Sequence, residues 1–199
     1  MTRAFDRFMK QASSQGREYG DGFNSSHFEG LTESELAKAI LILEEKAVNG
    51  DTIAINAVRL IGRRDAEAIL EKVLSGVLSR KAVNQACFEA YKITKHRNYL
   101  DRIFESIDSC SGQDKWHCVQ LLCSIEYGPA LYGEFRKFFE KIVLDEQDEI
   151  LRHSAARKIL LEAGVLDGTP AHREKIRQLI NERREVRERA LLDLSQQKQ

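Results

Sequence analysis

Proline is almost missing from this sequence. Only Pro129 and Pro170 occur, and each stands where an apolar-periodic segment begins, the one place in a helix where the absent amide costs nothing. No stretch approaches the roughly 20 successive apolar residues that a membrane-crossing helix needs, so no membrane span is expected. Charge of one sign is not in excess either. The 31 basic residues balance 31 acidic ones, which leaves no global field to draw the chain to nucleic acid or to an anionic membrane. Cys87, Cys110, Cys118 and Cys123 form no CxxC pair. The segment before Arg17 lacks the apolar run of a signal peptide, so the thiols are expected to be reduced and the protein cytoplasmic. Alternation of apolar and polar residues never persists beyond a few positions, which excludes an extensive sheet.

Recognisable catalytic constellations are missing as well. There is no GxSxG elbow, no HExxH, no phosphate-cradling GxxxxGK[ST] and no GxGxxG after a strand. His27, His96, His117, His153 and His172 are scattered over separate elements. Cys118 and Cys123 lie near His117 but would point about 140° apart on a helix, too divergent to share a tetrahedral ion. Glu44 and Glu45 are adjacent and diverge, as solvated surface does. The expectation is a protein without catalytic residues, metal or cofactor.

What is present is helical periodicity. Residues 1–30 hold a short amphipathic piece with Phe5, Phe8 and Met9, then a Gly/Ser-rich loop with aromatic anchors. From Leu31 the spacing of apolar residues becomes that of helices. Thr32 with Glu35 forms a capping box for the first, whose stripe is Leu36, Ala39, Ile40, Leu43 and Ala47. Gly50 stops it, Asp51 caps the next, and Ile53, Ala54, Ala57, Val58 and Ile61 run on to Gly62. A second pair follows from Asp65 and Ser79, a third from Asn98 and Asp114, and a fourth from Pro129 and Asp148, closed by Gly164. The second helices superpose on Ala57, Ala86, Cys118 and Ala155, with spacings of 29, 32 and 37 residues. Recurrence at roughly 20 to 50 residues marks a solenoid, in which small residues let stacked helices approach. A helical bundle of similar content is the alternative. Thr169 and Pro170 then open what reads as one long helix with the narrow stripe Ile176, Leu179, Ile180, Val186, Ala190 and Leu194, its charged half from Asn181 to Arg189 solvated.

Ala54 to Ala66, with Leu60-Ile61-Gly62 and an acidic cap three residues on, resembles a HEAT repeat. So does Ser154 to Gly164, with Ala155-Ala156 and Ile159-Leu160-Leu161. The resemblance covers residues 31–166 and implies an all-α fold: a right-handed α-solenoid of about four HEAT-like helix pairs, an N-terminal cap over 1–30 and a long C-terminal helix over 167–199. Tyr19-Gly20-Asp21-Gly22-Phe23-Asn24, His27-Phe28-Glu29-Gly30-Leu31, the acidic helix after them and Gly50-Asp51 resemble the opening of HEAT-like immunity proteins of bacterial polymorphic toxin and contact-dependent inhibition systems. That resemblance implies a cytoplasmic inhibitor that grips a cognate toxin domain.

Charge supplies the candidate surface. The first helices with their turns carry 7 basic and 14 acidic residues, and the second helices 12 basic and 7 acidic. In a HEAT-like stack the second helices line the inner face, which predicts a basic surface of Asn56, Arg59, Arg63, Arg64, Lys92, Lys95, His117 and Arg157. Arg and Lys aligned in this way attract carboxylates or phosphates. The excess is too small for a groove that releases many counterions from nucleic acid, so the expected partner is a protein. A generic HEAT-like adaptor and a nucleic-acid binder are the alternatives.

Overall fold

A computed structural model describes residues 1–165 and 167–196. The last residue of the expected repeat array, Leu166, and the end of the expected C-terminal helix, 197–199, lie outside the described residues. Among the described residues there are twelve α-helices, two short 3-10 segments and no strand. The chain is all-α, as the periodicity implies. No described helix is long and apolar enough to cross a membrane. Contacts divide the chain into two compact units, Met1–Asp114 and Lys115–Gln199.

The first unit holds α1 (Arg3–Ser13), α2 (Gly16–Gly20), α3 (Glu33–Val48), α4 (Thr52–Ala57), α5 (Arg63–Ser75), α6 (Arg80–Thr94) and α7 (Arg97–Asp108). The expected caps are in place. Thr32 and Glu35 form the reciprocal box, the Asp51 carboxylate accepts from the amides of Ile53 and Ala54, and Ser79 caps α6. Gly50, at φ 85°, turns the chain between α3 and α4 in a conformation that L-residues other than Asn and Asp resist. The pairs α3/α4 and α5/α6 then stack, α3 on α5 and α4 on α6.

Residues 1–30 dock on this stack. Phe8 is fully buried, with Phe23 and Phe28 ring centroids at 5.3 and 5.6 Å. Thr2 donates its amide and hydroxyl to Glu35 at 2.8 and 3.0 Å. These bonds and the Thr32 amide hold the Glu35 carboxyl at about 2. The Tyr19 hydroxyl donates to the Asp51 carboxylate, which fastens the segment to the cap of α4. The expected loop is thus partly helical, with α2 and a 3-10 turn at Ser25–His27, and it is held by rings rather than by backbone pairing.

Two boundaries differ from expectation. The second helix of the first pair is short, since Thr52–Ala57 passes into a 3-10 turn at Val58–Leu60 and an extended Ile61. The next helix begins at Arg63 with Gly62 as its N-cap, and Asp65 sits in its first turn rather than at the cap. Arg63 and Arg64 therefore open α5 instead of ending α4. With Arg97 likewise at the start of α7, three basic residues assigned to second helices belong to first helices, and the charge division between the two sets is weaker than the sequence pattern implied.

The second unit takes in most of α8 (Gly112–Cys123), with α9 (Pro129–Asp145), α10 (Glu149–Glu162), α11 (Pro170–Leu179) and α12 (Arg184–Gln196). Pro129 and Pro170 occupy first-turn positions, and Asp148 and Thr169 are N-caps. Each of α9 to α12 packs on the next, and α12 returns to α9. The single long C-terminal helix is corrected to two helices broken at residues 180–183. The charged interval is not solvated throughout either, because Arg187 is 6% exposed. No glycine or proline marks the break, but the Asn181 side chain accepts from the Arg183 amide at 2.9 Å and turns the chain there. Its free carbonyls are taken by arginines: Arg152 donates to Ile180 O at 3.4 Å, and Arg187 donates to Asn181 O and to Glu182 O at 3.0 Å.

Candidate functional site

α6 is the centre of the first unit, in contact with α4, α5 and α7, and it is buried around most of its circumference. A helix so placed is expected to be apolar all round. This one carries three buried polar side chains, Asn84, Gln85 and Glu89. Asn84 donates to Ser106 Oγ at 2.8 Å, and Gln85 Nε2 donates to Glu89 Oε1 at 3.0 Å.

Glu89 gathers the predicted cations. Its side chain is fully buried, while Arg59 Nε and Lys92 Nζ lie 3.7 and 3.6 Å from its Oε2, each from a side chain about two-fifths exposed. Neither separation is a hydrogen bond, and Oε2 has none. Arg59 Nε also donates to Asn56 Oδ1 at 3.3 Å, and Lys92 lies over the Phe88 ring at 4.9 Å. One turn on, Lys95 ends α6 in the left-handed region at φ 60°, a conformation costing a residue of this type about 1 to 2 kcal/mol. It is the one non-glycine residue with positive φ among those described, and its amide caps Tyr91 O at 2.8 Å.

Four of the eight predicted residues, Asn56, Arg59, Lys92 and Lys95, thus stand along α4, the 3-10 turn and the C-terminal half of α6. Arg63 pairs with Glu67 one turn along α5 and lines a small cleft with Thr94 and His96, which brings it beside the end of α6. Arg64 is exposed on the same first turn. Arg59 and Arg63 do not lie one turn apart on one helix, because Ile61 and Gly62 break the chain between them. His117 and Arg157 belong to the second unit, where His117 is half-buried on α8 and the Arg157 guanidinium is engaged by Asp167. Arg157 is therefore committed to an internal pair.

Glu89 is the residue that sequence reasoning missed. The available signal was Gln85 and Glu89, one turn apart, interrupting the stripe of Ala82, Ala86 and Ala90. Burial pushes its carboxyl above the ordinary carboxylate range, against the pull of Lys92, Arg59 and Gln85. An acid raised in this way binds its proton more tightly in the fold than in the unfolded chain. Its contribution to stability is then full below the unfolded value of about 4.3 and is lost as pH rises through the folded one. Glu89→Gln removes the ionisation and keeps the shape. The expected result is a variant at least as stable as wild type at neutral pH, with a smaller loss of stability as pH rises from about 4, as urea midpoints measured from acid to neutral pH will test. A variant weaker at neutral pH, with a deficit that shrinks as pH falls toward 4, would mean that the two cations outweigh burial.

Among the described residues no group of three His, Cys, Asp or Glu side chains could hold a metal ion. Burial pushes the Cys87 thiol up to about 11 and the Cys123 thiol up to about 12, which leaves neither as a thiolate nucleophile near neutrality. Comparison of the chain with protein-family models, with curated proteins and with solved structures found no match.

Proposed function

We propose that this chain is a non-catalytic protein-binding module whose basic α4/α6 surface holds an acidic patch on a protein partner. The observation that carries the reading is the set of cations on the first unit, Arg59, Lys92 and Lys95 with Arg63 and Arg64 beside them, mounted on helices whose opposite sides are core. Long cationic side chains on a rigid support steer an acidic partner and fix its register. Asn56 holds the Arg59 guanidinium and the Phe88 ring carries Lys92, so less side-chain freedom is lost on binding.

The HEAT-like reading of the stacked pairs extends to a right-handed solenoid, and the resemblance to immunity proteins makes the partner a bacterial toxin domain in the cytoplasm. A generic adaptor uses the same surface for another protein. The discriminating experiment is co-expression of the chain with the C-terminal domain of a secreted protein encoded directly upstream of its gene. Protection from that domain, together with a stable complex, is the expected result. Absence of such a gene, or toxicity that the chain does not relieve, returns the reading to an adaptor.

The surface itself is tested by charge reversal. Arg59→Glu would set a second carboxylate beside the buried Glu89, so Arg63→Glu and Arg64→Glu are used instead: both are exposed and in a helical first turn, where acids are favoured, and the like charge set beside Glu67 in the exposed i,i+4 pair costs only about 0.5 kcal/mol. With about 1 kcal/mol at stake for each exposed contact, the double variant is expected to bind roughly thirtyfold more weakly, with a deficit that shrinks as salt rises. Calorimetric titration at two salt concentrations measures it, with duplex DNA as the comparison ligand. Unaltered binding to the protein partner, alongside DNA binding that the reversal abolishes, would replace the protein with nucleic acid.

A further inference from the structure

The second unit contains two buried arginines without an ion pair among the described residues. Arg152 on α10 and Arg187 on α12 are 7% and 6% exposed. Arg152 Nη1 donates to Glu146 O and Gln147 O at 2.9 and 2.8 Å and its Nη2 to Ile180 O. Arg187 Nη1 donates to Asn181 O and Glu182 O, and its Nη2 to Leu144 O at 2.7 Å. Every bond made by either guanidinium goes to a backbone carbonyl at the end of α9 or α11. No carboxylate comes within ion-pairing distance of either among the described residues, and both Nε–H groups are buried without a partner.

The charge does not close. The carbonyl ends of two helices supply about half a negative charge each, against two full positive charges. Buried charges that stay ionised are normally paired. Burial first, and then the nearby cations Arg152 and Arg184, hold the Arg187 guanidinium below its ordinary range against the pull of Asp145 and Glu185. Both arginines line one open cavity of about 690 Å³ together with Arg184, a size in the range of small-ligand pockets. Arg184 at its edge is half exposed and tied to Asp145 at 2.7 Å, so that acid is already spent. Glu149 and Glu182, also in the lining, are exposed.

We propose that this cavity is a binding site for a small oxyanion of the phosphate or carboxylate class, with the buried guanidinium groups of Arg152 and Arg187 in its wall and Arg184 at its mouth. Guanidinium groups suit both kinds of anion, because their fixed N–H directions match the separation of two oxygens. Such a ligand would tie α9, α10 and α12 together at the point where the C-terminal segment folds back. The site is independent of the cationic surface on the first unit.

The test uses the full chain with inorganic phosphate and, separately, acetate, each against chloride at matched ionic strength. The expected result is a saturable rise in Tm at low millimolar anion, with shifts confined to the Arg152, Arg184 and Arg187 guanidinium resonances in the proton–nitrogen spectrum. A response to phosphate alone fixes the class as tetrahedral, and a response to acetate alone fixes it as carboxylate. Arg152 and Arg187 variants lose cap bonds and would be ambiguous, so the rim is varied instead. Glu149→Gln with Glu182→Gln should tighten apparent affinity severalfold, and Arg184→Glu should weaken it severalfold. General salting-out would stabilise all these variants alike. Equal behaviour in both anions and chloride, or a rise that the rim variants leave unchanged, overturns the proposal.

Discussion

Replacing Phe8 with alanine is expected to cost about 3 to 5 kcal/mol, the range for deleting a fully buried aromatic ring whose surroundings cannot collapse to fill the space. Phe8 is 0% exposed and stands at the centre of a ring cluster with Phe5, Phe23 and Phe28. Phe23 and Phe28 belong to segments with little backbone pairing of their own, so each depends on Phe8 for its position. The loss should appear as a lower urea midpoint, accompanied by faster amide exchange over residues 20–31, because removing the ring frees the loop as well as opening a cavity. A loss under about 1 kcal/mol, the ordinary result for a surface substitution, would mean that residues 1–30 contribute nothing to the core of the first unit.

The aromatic anchors of that segment could be read from sequence because they stand among glycines and serines. What they anchor to could not, since Phe8 meets Phe23 and Phe28 only when the chain turns back at Gly16, at φ 59°. The same distinction runs through the molecule. Thr32 with Glu35, Asp51, Ser79, Asp148 and Thr169 are legible caps because capping is chemistry within three residues. Gly62-Arg63-Arg64-Asp65 offers two ways to start a helix, Gly62 or Asp65 as N-cap, and packing of Ala66 and Ile69 decides for the earlier one. The break at residues 180–183 has no glycine or proline to announce it. The freed carbonyls are met by Arg187 from the following helix and by Arg152, 28 positions before Ile180, while Asn181 Oδ1 accepts from the Arg183 amide.

The candidate surface divides in the same way. Positive charge on α4 and α6 is a property of composition and could be counted. Which cations are held together is a property of Glu89, and a lone glutamate in a helix is ordinarily solvent-facing. Its burial follows from the central place of α6, which only the packing of α4, α5 and α7 around it determines. Asp167, which engages Arg157, lies ten residues beyond it, past the helix-ending Gly164, so helical spacing could not have found the pair.

The register of the second helices, by contrast, rests on four small residues, and all four are buried: Ala57 at 2%, and Ala86, Cys118 and Ala155 at 0% exposure. Replacing Ala155 with leucine is expected to cost about 1 to 3 kcal/mol, because three added carbons must be forced between α10 and its neighbours in an interior already packed to crystal density. Ala155 has little room to shift. Ala156 beside it is also fully buried, Ser154 on its other side is held by Gln120 at 2.7 Å, and α9 and α11 both pack on α10. Ala57→Leu asks the same question of the first unit, so the two variants probe the two cores separately. Ala68→Leu supplies the control, since Ala68 is exposed on α5 and a good helix former there should move stability by no more than about 0.5 kcal/mol. Denaturation midpoints at fixed pH make the comparison. If Ala155→Leu and Ala57→Leu unfold at the same denaturant concentration as Ala68→Leu, the small residues are not the points where helices approach, and the repeat register drawn through them is wrong.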